Sequence, residues 1–195
     1  MPDRITDELL LEKAGAGDSA AFLQIYERHR DPVFRFAYRL SGSFEVAEDI
    51  THDCFLGLLK QPANFRPGRA TLRTYLLAAA RNLWFKRLRI HDRETELDQI
   101  TELNLNASGR GPLGEILGDE LTAAVKQAIF DLPPMQREAL ILFEYEGLAL
   151  NEIAEIVGVD VGAIKARLHR ARQALRSSLS TYLNSNSEIA TLEKA

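Results

Sequence analysis

The stretch LALNEIAEIVGVDVGAIKARLHRARQALR, Leu148 to Arg176, decides the fold. From Leu150 to Val157, the residues Ile153, Ala154 and Val157 share one face of a short helix. Gly158 follows where a left-handed C-cap belongs. Asp160 can then cap a second helix by accepting from its open backbone amides. In that second helix Ile164, Leu168, Ala171 and Leu175 recur at spacings of four, three and four, which makes one apolar stripe. Two short helices joined by a tight turn predict a helix-turn-helix, whose second helix buries one side and offers the other to the major groove. Ala166, His169, Arg170 and Gln173 point away from the stripe, with Lys165 and Arg176 at its flank. Lys165, Ala166, His169 and Arg170 are expected to face base edges, and Arg167, Arg172 and Arg176 to hold phosphates. A basic amphipathic helix in any bundle is the plainer alternative; the turn and cap in register argue against it.

Outward from this stretch, almost every segment is patterned as helix. Strand-type alternation is absent, and Gly and Pro collect between periodic runs. The patterning predicts helices near 7–15, 19–30, 31–41, 45–60, 70–91, 118–131, 135–146, 150–157 and 161–183. Residues 94 to 118 break it. They carry Glu94, Glu96, Asp98 and Glu102 together with Asn104, Asn106, Ser108, Gly109, Gly111, Pro112 and Gly114. Such a segment is expected to be a flexible acidic linker. The fold class that follows is all-α: two small helical domains, 1–93 and 119–183, a linker over 94–118 and a polar tail over 184–195 that frays.

The chain has 195 residues and a net charge of −4, which at first argues against a nucleic-acid partner. The charge is unevenly placed. Lys165, Arg167, Arg170, Arg172 and Arg176 form one basic stripe without an acid among them. Arg81, Lys86, Arg87, Arg89 and Arg93 form a second, opposed only by Asp92. Two such stripes on an acidic chain suit two selective nucleic-acid contacts, against the blander reading of two solvated faces. No apolar run is long enough to span a membrane, and the first eleven residues lack the pattern of a secretory signal. Cys54 is the single cysteine, so no intramolecular disulfide is available and a cytoplasmic location fits.

In the segment Ala47 to Lys60, the residues Ala47, Ile50, Cys54, Leu58 and Phe55 form the candidate buried stripe. Glu48, Asp49, His52 and Asp53 fall on the opposite face, and an acidic face calls for a basic partner. Asp49 and His52 also have the carboxylate-x-x-His spacing of bundle metal sites, but such sites need a second motif and none is present. No phosphate-cradling loop or nucleophile–base pair appears either, so neither a cofactor, a metal nor a catalytic activity is expected. The helix Thr71 to Arg93 alternates anchors (Leu72, Leu76, Ala79, Leu83) with Arg81, Asn82, Lys86, Arg87 and Arg89. Phe65 and Trp84 could stack on bases, though large aromatics in a bundle more often fill its core.

The run from Leu132 to Arg176 closely resembles region 4 of sigma factors of the sigma-70 family. It has the Leu-Pro-Pro entry at Leu132–Pro134, the pair Arg137–Glu138, Glu152–Ile153–Ala154, Gly158–Val159 and the run Arg167–Arg172. The N-terminal half resembles region 2: Gly17–Asp18 with Ala21–Phe22, then Tyr26, then AEDITHDCFLGLLK (Ala47 to Lys60), then YLLAAARNLWFKRLR (Tyr75 to Arg89). The absence of a further folded domain between them points to the short extracytoplasmic-function (ECF) group.

The resemblance implies an RNA polymerase specificity subunit. Region 4 would bind the promoter −35 element and the flap of the β subunit. In region 2, Glu48, Asp49 and Asp53 would dock on the basic coiled coil of the β′ clamp. The loop Gln61–Ala70 would hold a flipped non-template base, with Asn64, Arg66, Arg69, Arg73, Arg81, Asn82 and Lys86 as candidates for −10 recognition and melting. The linker would thread the polymerase cleft, and an anti-sigma factor is an expected further partner. Three positions depart from the family pattern: Ala149 where a capping side chain is usual, Tyr75 where Trp is usual, and Lys86 where Asp is usual, beside an unusual Trp84. The competing reading is a helix-turn-helix regulator that binds DNA without polymerase.

Overall fold

The computed structural model describes residues 5–68, 70–97 and 116–192, and among them there are helices and turns but no strand. The chain divides into two units, Met1–Asn106 and Ala107–Ala195.

The first unit contains α1 (Asp7–Gly15), α2 (Ser19–Ser41), α3 (Phe44–Lys60) and α4 (Leu72–Leu97). Local chemistry sets where the first three begin. Thr6 accepts from the Leu9 amide, Asp18 from those of Ala20 and Ala21, and Ser43 from that of Val46. Helix α2 ends at Gly42 in the left-handed region (φ 72°), and the Gly42 amide donates to the Tyr38 carbonyl. Helix α2 packs against the other three and supplies Ile25, Val33, Phe36, Ala37 and Leu40 to the core.

Two predicted helices, 19–30 and 31–41, are one. Pro32 sits inside α2 and removes one backbone donor. The buried stripe runs through it from Ile25 to Leu40, and that packing holds the helix together across the gap. Helix α4 also runs past its predicted end, to Leu97, because no Gly or Pro interrupts it.

The second unit contains α5 (Ile116–Phe130), α6 (Pro134–Leu140), a π-helical turn (Ile141–Tyr145), α7 (Leu150–Val157) and α8 (Val161–Leu192). Helix α8 packs on α5, α6 and α7. The predicted helix 135–146 is thus α-helical only at first. It widens until the Glu146 amide donates to the Ile141 carbonyl, five residues back, at 3.1 Å. The predicted fraying tail is helical through Leu192, since residues 177 to 192 contain no Gly or Pro to stop α8. The expected linker shrinks from both ends, and its centre, 98–115, lies outside the described residues.

Candidate nucleic-acid interface

Helices α7 and α8 form the predicted helix-turn-helix. Gly158 has φ 75° and ψ 37°, and its amide donates to the Ala154 carbonyl at 2.9 Å. Asp160 Oδ1 accepts from the Ala163 amide at 2.9 Å, which fixes the start of α8. A Cβ on Gly162 would come 2.8 Å from that oxygen, so a side chain there would push the capping carboxylate aside. At the start of α7, Ala149 offers no acceptor, but Glu152 reaches back and accepts from the Ala149 amide at 2.8 Å. Half of a capping box survives there.

On α8, Ile164, Leu168 and Ala171 are buried and Leu175 is half-buried. Lys165, His169, Arg170 and Arg176 are exposed on the remaining surface, and Ala166 is half-buried. Two of the expected phosphate contacts have other company. Arg167 is only 14% exposed, and its Nη1 lies 3.8 Å from Oε2 of Glu138, which is fully buried. Arg172 is exposed but pairs with Glu144 at 2.7 Å and stacks over Phe143. The Arg167 guanidinium thus faces α6.

Its neighbour in this scaffold is Arg137, whose guanidinium donates to the Phe130 and Leu132 carbonyls and lies over the Phe130 ring. Burial pushes the Arg137 pKa down from its ordinary value, and nearby Asp131 opposes that shift. The adjacent pair Arg137–Glu138 thus ties α6 backward to the end of α5 and forward to α8. No sequence pattern announced this, because Glu138 and Arg167 lie far apart in the chain.

In the first unit, Thr71 Oγ1 accepts from the Thr74 amide at 3.1 Å and starts α4. Leu72, Leu76, Leu77, Ala80 and Trp84 are its buried apolar side chains, with Thr74 buried beside them; the expected anchors Ala79 and Leu83 are only half-buried. Trp84 is 4% exposed and Phe65 is 5% exposed, so both aromatics fill the interior instead of offering platforms for bases. Phe65 meets Tyr75 edge to face at 5.7 Å. Asn64 and Arg66 are exposed on the loop before α4, and Asn64 donates to Gln61 at 2.8 Å. Arg69 lies outside the described residues. On α4, Arg73 and Arg81 are half-exposed while Asn82 and Lys86 are exposed. Arg81 donates to Asn82 at 3.0 Å and covers the Phe85 ring.

Glu48, Asp49, His52 and Asp53 are exposed on α3, as their spacing predicts, with Ala47, Ile50, Cys54, Phe55 and Leu58 buried behind them. Unforeseen is Arg87 of α4, which reaches Asp49 at 3.1 Å and Asp53 at 3.4 Å. The basic helix and the acidic helix, which pack together, thus also share an ion-pair contact at one guanidinium.

A helix-turn-helix with a cationic outer face, and a second helical unit pairing an acidic helix with a basic one, define a DNA-binding transcription protein. Comparison with known proteins gives the family. The sigma-70 region 2 model matches residues 25–94 and the sigma-70 region 4 model matches residues 122–175. The ECF RNA polymerase sigma factor SigE of Mycolicibacterium smegmatis is 34% identical over 179 residues, spanning 89% of this chain and 68% of that protein. The ECF RNA polymerase sigma factor SigW of Bacillus subtilis is 30% identical over 177 residues, spanning 87% of this chain and 94% of that protein. Among solved structures, the sigma factor RpoE of Bartonella quintana, in complex with the anti-sigma factor NepR, superposes with a TM-score of 0.70. It is 27% identical, and the match covers 82% of this chain and 96% of that one. The chain belongs to the ECF group of the sigma-70 family of RNA polymerase sigma factors.

Proposed function

We propose the following division of labour for this sigma factor, which binds core RNA polymerase and directs promoter-specific transcription initiation. The unit holding α7 and α8 reads the −35 element, with Lys165, Ala166, His169 and Arg170 toward the bases and Arg172 and Arg176 toward phosphates. Arg172 can exchange an exposed glutamate for a phosphate at little cost, because an exposed ion pair is worth roughly 0–1 kcal/mol. Arg167 is left out of this set, since its guanidinium is largely buried and faces Glu138. The unit holding α2, α3 and α4 docks on polymerase through Glu48, Asp49 and Asp53. It engages the −10 element through Asn64, Arg66, Arg69, Arg73, Arg81, Asn82 and Lys86.

The chain acts by binding, with no catalytic step of its own, in the cytoplasm where polymerase and promoter meet. No described helix is long and apolar enough to cross a membrane. Relatives held by an anti-sigma factor make such a partner the expected means of restraint.

The observation that carries this reading is α8 itself: buried Ile164, Leu168 and Ala171 on one side, exposed Lys165, His169 and Arg170 on the other. Run-off transcription with core polymerase on a −35-dependent promoter tests it. Arg170→Ala is expected to leave folding intact and to weaken promoter binding by about 1–3 kcal/mol, the value of one bidentate base contact. Unchanged promoter use by that variant moves the reading face elsewhere on α8. Equal site selectivity without polymerase would favour a free-standing regulator.

A further inference from the structure

Arg87 stands on the basic helix α4, between Lys86 and Leu88, yet its guanidinium turns back to the acidic helix α3. Its Nη1 is 3.1 Å from Asp49 Oδ2 and its Nη2 is 3.4 Å from Asp53 Oδ2. Asp49 and Asp53 are four residues apart and so lie one above the other on the same helical face. One planar fork spans both carboxylates, a geometry that lysine's single ammonium does not reproduce. The three side chains are 35%, 60% and 47% exposed for Arg87, Asp49 and Asp53. Water and salt therefore reach the contact, and it can open without unpacking the core. Two of the three acids of the proposed docking face already hold a cation of this chain.

We infer that Arg87 is an intramolecular competitor for core polymerase: it occupies Asp49 and Asp53 in the free protein and must yield them when a basic partner surface docks. This rests on the reading of Glu48, Asp49 and Asp53 as that docking face. A basic surface brings its own cations to the same carboxylates and meets Arg87 as a like charge. Part of the attraction on docking is thus spent in displacing a contact that already exists. The guanidinium that leaves stands on the helix that also carries Arg81 and Lys86, so docking adds a cation to the proposed −10 surface.

Titration of the full chain against core polymerase tests the inference, with circular dichroism and thermal melting to establish folding. Arg87→Gln removes the charge and is expected to tighten core binding by about two- to fivefold at low salt, the scale of an exposed ion pair. The gain shrinks as ionic strength rises. Arg87→Lys is expected to fall between that variant and the wild type. Equal or weaker binding by a well-folded Arg87→Gln overturns the competitor. Should Arg87→Gln lose its cooperative melt, Arg87→Met keeps the aliphatic stem. Loss of folding in both makes the residue a structural strut and overturns the inference as well. Asp49→Asn separates the two levels. If it leaves core affinity unchanged, the docking reading itself fails; if it weakens binding while Arg87→Gln brings no gain, only the competitor fails.

Discussion

Cys54 is 3% exposed, and burial, with Asp53 beside it, pushes its thiol up from its ordinary value to about 12. A thiol so placed stays protonated through the neutral range and reacts slowly, since the thiolate is the nucleophile. The folded value lies above the unfolded one, so the contribution is complete below about pH 9 and is lost as pH rises from there toward 12. Denaturant unfolding is expected to show stability falling above pH 9, with a slope of at most about 1.4 kcal/mol per pH unit from this group. Cys54→Ala should flatten that slope; an unaltered alkaline profile would remove Cys54 from the account. Glu138 is a carboxyl side chain buried within reach of a cation. Glu138→Ala removes the carboxylate that Arg167 faces and is expected to cost about 1–3 kcal/mol in denaturant unfolding of the second unit. A loss below about 1 kcal/mol would mean that water already serves Arg167. The exposure of Glu48, Asp49 and Asp53 was legible from helical spacing. The pairing of Arg167 and Arg87 was not, because spacing assigns a face and leaves open which distant residue meets it.

Turns and caps carried most of what could be foreseen at the level of elements. Gly158 and Asp160 announced the turn between α7 and α8 because each has a backbone job that few residues can do. Pro32 misled for the same reason: it is a helix breaker by local chemistry, and only the core on both sides of it overrides that. The π-helical turn at Ile141–Tyr145 has no composition of its own and was invisible. Ala149 is where local chemistry leaves room for improvement. Its φ of −70° and ψ of 154° are those of a capped N-terminus, but it has no acceptor. Ala149→Ser is expected to complete the capping box with Glu152 and to raise stability by about 0.5–1 kcal/mol. A shift of the melting midpoint upward checks it, and a neutral or lowered midpoint shows that the open amides of α7 are already served by water.

Each of the two units has its own buried core at the scale of the whole chain. Phe36, Leu40, Ile50, Leu58 and Leu76 fill the first; Leu140, Ile141, Ile153, Ile164 and Leu168 fill the second. Limited proteolysis that cuts between residues 98 and 115 is therefore expected to leave two fragments. Each should keep its helical circular dichroism and its own cooperative melt. A fragment that loses its melt after the cut would show that its core is incomplete alone. The all-α class and the order of the two units were legible because helical periodicity is strong over most of the chain. The unit ends were less so: α4 and α8 both run on through sequence that lacks a stop signal and carries little apolar pattern.

The contact between Glu138 and Arg167 bears on how such a protein can diverge. Replacing Glu138 alone removes the carboxylate that Arg167 faces, whereas replacing both by well-packed apolar side chains can be close to neutral. Substitution at one position is therefore held back until the other changes, and the two sites should drift as a couple. Lys165, His169 and Arg170, on the outer side of the same helix, carry no such restraint. Descendants of this chain can vary those exposed positions while inheriting the contact behind α8 unchanged.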